Sequence, residues 1–439
     1  MILIKNAEVV NEGVSAMRDV LVDGEMIADV VEQDTVARAD CVVDGRGCLL
    51  LPGVIDEHVH MREPGLTAKG DIESETRAAA AGGVTTLMDM PNTVPQTTSR
   101  EAWEAKMRLM GEKSRVNYAC FLGATDRNIE EIERVDKRRV PGIKLFMGAS
   151  TGNMLVERRE ALEQIFARSP LLVMVHAEDQ GVIARNAAAL REKEGDDAAV
   201  WHHSEVRSRE ACLKSTRLAI ELAQAAGARL HVAHISTREE LEEIRRAGER
   251  VTGEACLPHL LFTSGDYERL GSRIKCNPAV HCAADREALR RSLGDDSAIK
   301  CVATDHAPHR LEDKEGGCFK AASGMPMVQF SLPAMLTLAD EGVVSRERVV
   351  ELMCHNPARL FDIEGRGFVR KGMKADLVLV RRKEWTVDDA DVVSKCGWTP
   401  LCGRRLGWRV EATFVNGECV YKNGSFDDSV RGQAITFDR

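Results

Sequence analysis

The chain has 439 residues, 44% hydrophobic and 29% charged; the length supports a large core and the balance excludes extended disorder. Its 60 Lys and Arg against 69 Asp and Glu give a formal charge of −9, a surface that repels phosphate backbones and anionic lipid, so neither nucleic acid nor membrane is an expected partner. No apolar run approaches the ~18 residues of a spanning helix, and Met1-Ile2-Leu3-Ile4-Lys5-Asn6 turns polar too early for a signal peptide.

In chain order, the first fifty residues read as short strands and turns. Met1–Val10, Val20–Val22 and Met26–Val31 are apolar, interrupted by the turn signals Asn11-Glu12-Gly13 and Asp23-Gly24-Glu25. From Gly53 onward, buried-looking strands alternate with helical stretches. The predicted strands are Val54–His60, Val84–Met90, Val116–Leu122, Gly142–Phe146, Leu171–His176, Leu230–Ile235, Arg250–Glu254 and Ile299–Ala303. Helical periodicity lies between them, in Asp71–Ala81, Arg100–Glu112, Glu157–Arg168, Glu205–Ala226, Arg238–Ala247 and Asp285–Leu293. Eight strand–helix alternations over about 250–300 residues predict an α/β fold, a (β/α)8 TIM barrel. No Gly-x-Gly-x-x-Gly follows any strand, so a doubly wound dinucleotide fold lacks its fingerprint.

After two more helices ending near Leu360, strand character returns in Asp376–Val380, Arg409–Val415 and Glu418–Tyr421, with Asn416-Gly417 as a hairpin signal. Each β-rich end is too short for its own core, so residues 1–52 and 361–439 are expected to form one small β-sandwich beside a catalytic barrel of residues 53–360. The thirteen cysteines are odd in number and lack any Cys-x-x-Cys pair, which disfavours a disulfide framework or a zinc knuckle. Cys120, Cys212, Cys301 and Cys354 sit among apolar neighbours, and reduced buried thiols point to the cytoplasm.

Chemistry in such a barrel gathers at the C-terminal strand ends. There stand His58-Val59-His60, Lys144, His176, His234 and Thr304-Asp305-His306. Strand alternation puts His58 and His60 on one face, where both imidazoles can reach one metal ion. A single buried His is more often a hydrogen-bonded core residue, but four with an Asp at barrel strand ends point jointly to metal. Lys144, between Ile143 and Leu145, is expected to have a depressed pKa from desolvation. A neutral amine can take up carbon dioxide and become an anionic oxygen donor, and such a bridge suits two zinc ions ~3.5–4 Å apart. The alternative is a lysine that grips a substrate phosphate or carboxylate. His231 reads as a residue packing in the barrel, and His202-His203, in a polar stretch, as solvated.

The segments His58-Val59-His60-Met61-Arg62-Glu63-Pro64-Gly65, Met90-Pro91-Asn92-Thr93, Gly142-Ile143-Lys144-Leu145-Phe146 and Thr304-Asp305-His306-Ala307-Pro308-His309 resemble the amidohydrolase superfamily and, within it, the dihydroorotases. His-x-His is common to many amidohydrolases; the last segment, followed by Lys314, is closer to dihydroorotases than to dihydropyrimidinases. The resemblance implies one zinc on His58, His60, carboxylated Lys144 and Asp305, and a second on Lys144, His176 and His234. Two Zn2+ per chain would be bridged by that lysine and a hydroxide. It further implies that Arg62, Asn92 and His309 hold a substrate carboxylate, that Asn277 contacts the ring, and that Ser323 and Gly324 belong to the substrate site. For Arg62 the physics concurs, since a guanidinium two residues past the ligand pair shares their mouth and matches a carboxylate bidentately.

Two segments depart from the family pattern. Pro278-Ala279-Val280-His281 stands where many members have Pro-Pro-Leu-Arg, and Gln329 where Glu is common. The implied reaction is reversible hydrolysis of dihydroorotate to N-carbamoyl-L-aspartate in pyrimidine biosynthesis, with Asp305 shuttling the proton. An allantoinase or hydantoinase would use the same metals on another ring. A catalytically inactive homologue serving as a structural partner would lack at least one ligand. A small-molecule substrate and a homodimer are the expected partners.

Overall fold

The computed structural model describes residues 1–33, 38–148, 154–294 and 298–439. The barrel strands are Val54–Val59, Val84–Asp89, Asn117–Cys120 with its continuation Leu122–Gly123, Ile143–Phe146, Val173–His176, Leu230–Val232, Val251–Cys256 and Ile299–Ala303. Neighbours pair in parallel and in sequence order. The third position hands over from one neighbour to the next: Phe121 N donates to Asp89 O at 3.1 Å, and Ala124 N to Lys144 O at 2.8 Å. The ring closes where Val59 pairs with His306 and His60 N donates to His306 O at 2.7 Å. The first five strands are buried along their whole length, as strands covered on both faces must be. The (β/α)8 barrel is therefore the one predicted, to within a few residues per strand.

The outer helices carry the expected start signals. Thr237 caps Arg238–Ala247 in a reciprocal box with Glu240, and Asp71 caps Ile72–Ala81 with Ser74, each satisfying otherwise orphaned N–H groups. The latter helix buries Ala78–Ala81 and ends at Gly82. A Cβ on Gly82 would lie 2.7 Å from both Val328 O and Gln329 O, so only glycine permits this approach. Two details differ from expectation. The sixth strand stops at Val232 because the chain turns into left-handed conformation at His234 (φ 39°), and the helix expected from Glu205 begins at Arg209.

Both chain ends build one nine-stranded sheet. Its path runs Ser425–Phe426, Glu418–Lys422, Arg405–Val415, Leu377–Thr386, Cys48–Pro52, Ile2–Asn11, Val14–Asp23 and Met26–Glu32, with Cys41–Asp44 attached to Ile2–Asn11. The ends meet where Leu377–Thr386 pairs antiparallel with Cys48–Pro52, over a core that includes Ile4, Val20, Leu50, Leu379 and Phe414. Asn416 and Gly417 make the expected hairpin turn with φ of 50° and 82°. Among the described residues, no helix is long and apolar enough to cross a membrane.

Candidate metal centre and substrate pocket

His58, His60, Lys144, His176, His234 and Asp305 all line one cavity at the barrel mouth, together with Arg62, Asn92, Asn277, Ser323 and Gly324. His58 Nε2 lies 3.4 Å and His60 Nε2 3.2 Å from Asp305 Oδ1. Their outer nitrogens are occupied: His58 Nδ1 donates to Glu254 Oε1 at 2.7 Å, and His60 Nδ1 lies 2.8 Å from Asn92 Oδ1. With Nδ1 committed outward, each Nε2 keeps its lone pair facing the cavity, the arrangement in which second-layer acceptors orient metal-bound histidines. His176 Nδ1 and His234 Nε2 face each other at 2.9 Å, and His234 Nδ1 is buried without a hydrogen bond among the described residues.

Three residues of this site hold left-handed backbone: Arg62 (φ 67°), His234 (φ 39°) and Asp305 (φ 46°). Such conformations are disfavoured for side chains of this size and persist where the surroundings enforce them. Here they turn each side chain off the strand end into the mouth. Gly324 (φ 141°) is a further case, since a Cβ there would lie 2.6 Å from Ala307 O and 3.0 Å from His309 Cδ2.

Burial sets the protonation states. It pushes His58 and His234 well below the usual imidazole range, and lowers His60 and His176 as well. For Asp305 burial acts upward, but His58, His60 and Lys144 outweigh it and hold the carboxyl below its ordinary value. Lys144 is fully buried, its Nζ has no hydrogen-bond partner among the described residues, and burial lowers it to about 8 despite the opposing charges of Glu254 and Asp305. Neutral imidazoles, an ionised carboxylate and an unpartnered buried amine form a donor set that fits a divalent metal ion. His58, His60 and Asp305 are close enough to hold one.

The substrate side is electropositive. Arg62 is 2% exposed; its Nε donates to Pro308 O at 3.0 Å and its Nη2 lies 3.1 Å from His309 Nε2. Among the described residues no carboxylate forms an ion pair with Arg62. His309 Nε2 also lies 3.0 Å from Ser323 O. A guanidinium can only donate and a carbonyl can only accept, so the His309 tautomer sets which of these two contacts is the hydrogen bond, and Arg62 Nη2 keeps its second N–H open to an incoming acceptor. Burial, with Arg62, Lys69 and Lys314 nearby, keeps His309 neutral.

Several supporting residues escaped the sequence reading. Glu254, fully buried on the seventh strand, uses Oε1 to accept from His58 Nδ1 and from His234 N at 2.9 Å, tying two candidate ligands together. Glu178 Oε2 lies 2.9 Å from His176 Nε2 and is paired with Arg207. A charged residue inside an apolar strand, as in Gly253-Glu254-Ala255, was the available signal. Below the mouth, Glu57, His231 and Glu254 converge; burial and the adjacent Glu254 raise Glu57 well above the carboxylate range, so it stays protonated there. His231 packs inside the barrel, as expected, with Nδ1 2.7 Å from Thr252 Oγ1. His203 corrects the sequence reading: it is 4% exposed, not solvated, because the chain folds it against Cys276 and Asn277. His202 is half-buried beside Glu205.

Residues 49–420 match the amidohydrolase family. The chain is 33% identical over 441 residues to a dihydroorotase of Methanosarcina mazei, covering 97% of this chain and 95% of that protein. It is 36% identical over 415 residues to a dihydroorotase of Halobacterium salinarum, covering 92% and 93%. Among solved structures it is similar to the L-hydantoinase of Arthrobacter aurescens, with a TM-score of 0.93 and 29% identity over 99% of both chains. It shares its fold with the dihydropyrimidinase of Brevibacillus agri, at a TM-score of 0.90 and 24% identity over 100% of this chain and 99% of that one.

Proposed function

The chain belongs to the amidohydrolase family, and from its site we propose that it catalyses the reversible hydrolysis of dihydroorotate to N-carbamoyl-L-aspartate with two zinc ions per chain. The observation that carries the substrate assignment is Arg62, a buried guanidinium with no acidic partner among the described residues, at the rim of a cavity lined by candidate metal ligands. A buried charge left unpaired is costly, and a substrate carboxylate supplies its missing partner in bidentate form. Asn92 lines the same cavity and His309 lies 3.1 Å from Arg62 Nη2, and both support that placement.

In this reading His58, His60, Lys144 and Asp305 hold one zinc, and Lys144, His176 and His234 the other. Lys144 acts once its ammonium has lost a proton and the neutral amine adds carbon dioxide: an N–C bond forms, a second proton leaves, and the former cation becomes an anionic oxygen donor. The lack of a hydrogen-bond partner for Nζ among the described residues supports it. When bound, zinc supplies Lewis acidity, making water a better nucleophile and polarising the amide carbonyl. Asp305, ionised at neutral pH, takes the proton from the attacking water and hands it to the departing ring nitrogen, so the C–N bond breaks without expelling an amide anion. In ring closure it removes the ureido proton. Glu254 and Asn92 keep His58 and His60 in the tautomer this needs.

The barrel, residues 53–360, is the catalytic unit of this proposal, flanked by 1–52 and 361–439. The enzyme is cytoplasmic, which its thirteen free cysteines support, and works as a homodimer, testable by light scattering. A hydantoinase-type activity is the second reading, favoured by the likeness to the Arthrobacter L-hydantoinase. Zinc-replete protein should interconvert dihydroorotate and N-carbamoyl-aspartate, and lose that activity on chelation. Turnover of hydantoin or allantoin with none of dihydroorotate would establish the second reading.

A further inference from the structure

Asn277 enters the cavity from Lys275-Cys276-Asn277, a segment held from two sides. Lys314, 2% exposed, donates from Nζ to Lys275 O at 3.0 Å, Ala322 O at 2.7 Å and Gly324 O at 2.8 Å, while Gly324 N donates to Lys275 O at 2.8 Å. From the other side His203 Nε2 lies 2.9 Å from Cys276 O and 3.0 Å from Asn277 Oδ1. The backbone carbonyl can only accept, so Nε2 carries a proton. The Asn277 atom beside that N–H must then also be an acceptor, which fixes Oδ1 toward His203 and sends the NH2 group away from it. The reversed amide would set donor against donor in a buried place.

We propose that His203 is a positioning residue for substrate recognition: it locks the Asn277 amide so that only Nδ2–H is offered to the ring, which makes Asn277 a donor to a ring carbonyl oxygen. The assignment rests on the cyclic-amide reading above and deepens it. The site then selects ureide or imide rings that carry both an anionic group for Arg62 and a carbonyl acceptor for Asn277. A ring with an N–H donor in place of that carbonyl is rejected, because a donor would meet a donor. Burial, with Lys275 and Arg207 nearby, lowers His203 to about 3, so the lock holds unchanged across the working pH range.

The test is a double-mutant cycle on dihydroorotate, reading kcat, KM and metal content. His203→Ala should raise KM about tenfold, roughly the worth of one neutral hydrogen bond, with kcat and metal content near those of the unmodified enzyme. His203→Gln, which retains an N–H donor, should recover part of the loss. In an Asn277→Ala background, His203→Ala should cost less than about twofold more, since its only route to substrate is gone. Equal losses in both backgrounds would overturn the proposal and leave His203 a support of the Cys276 backbone. Should His203→Ala fail to fold, Asn277→Asp decides: it still accepts from His203 but offers no donor, so its KM should match that of Asn277→Ala, and an unchanged KM would refute the donor assignment. A neutron structure reads the lock without turnover, with deuterium expected on His203 Nε2 and on the cavity side of Asn277; the opposite amide orientation would refute it even if dihydroorotate proved the wrong substrate.

Discussion

Replacing Glu254 by Gln keeps the side-chain shape and removes its charge. Oε1 accepts from His58 Nδ1 at 2.7 Å and from His234 N at 2.9 Å, and both bonds weaken when the acceptor becomes neutral. Charge-assisted bonds contribute about 1.5–3 kcal/mol and neutral ones about 0.5–1.5, so the pair loses roughly 1.5–3 kcal/mol of hold on two candidate ligands. That predicts a 10–100-fold fall in zinc affinity, the usual scale for residues that orient metal-bound histidines. The fold should not suffer in parallel. Among the described residues Glu254 Oε2 has no hydrogen bond, and it lies 4.0 Å from His231 Nε2. Thr252 donates its hydroxyl proton to Leu230 O, so His231 Nδ1 is the donor to Thr252 and Nε2 is a bare lone pair. A Gln amide on that side faces the bare Nε2 with an N–H in place of a second lone pair, so the metal-free variant should melt no lower than the metal-free parent. Zinc competition against a chelator gives the affinity, and thermal melts of the apo forms give the stability. Unchanged affinity with a lowered apo Tm would refute the reasoning and make Glu254 a strut of the barrel.

Asp305→Asn keeps a metal-capable oxygen but cannot take the proton, so activity should drop by ~10²–10⁴ with some zinc retained; near-normal turnover would remove Asp305 from its role. Lys144→Ala should lose the paired metal site, with short carboxylic acids partly restoring activity, and Lys144→Arg should not rescue, since a guanidinium stays protonated; elemental analysis giving two zinc ions per chain in Lys144→Arg would end the bridging assignment. For Glu178, burial acts upward, but Arg207 and His176 overcome it and bring the carboxyl from 4.5 to about 2. Its folded value is depressed, so its stabilisation is complete above pH 4.5 and fades as pH falls toward about 2. The stability gap between the parent and Glu178→Gln should narrow over that window in denaturant titrations; a gap independent of pH would show that the ionised carboxyl is not what stabilises.

The barrel was legible because its strands are apolar on both faces, so His58, His60, Lys144 and His176 stand out within or at the end of those runs, where burying an idle polar group is expensive. What bends the chain at those ends was not legible. Arg62, His234 and Asp305 reach the cavity through left-handed backbone, which no pattern of neighbouring residue types encodes for Arg or His. Glu254 was not legible as a site residue because it closes the predicted strand Arg250–Glu254, and nothing local shows that its carboxylate meets His58, 196 positions away. His203 shows the limit of local composition: its neighbours His202, Ser204 and Glu205 read as solvated, yet its partner Cys276 lies 73 positions along the chain. Tertiary packing decided that histidine.

Whether Arg62 is poised for a substrate carboxylate is read from kcat/KM for dihydroorotate and dihydrouracil, the same ring with and without that group. A bidentate contact to a buried guanidinium, at about 1.5–3 kcal/mol, predicts a preference for dihydroorotate of at least tenfold, and Arg62→Lys should erode it because the ammonium lacks the planar fork. Equal kcat/KM for the two rings, unchanged in Arg62→Lys, would show that Arg62 does not bind a substrate carboxylate.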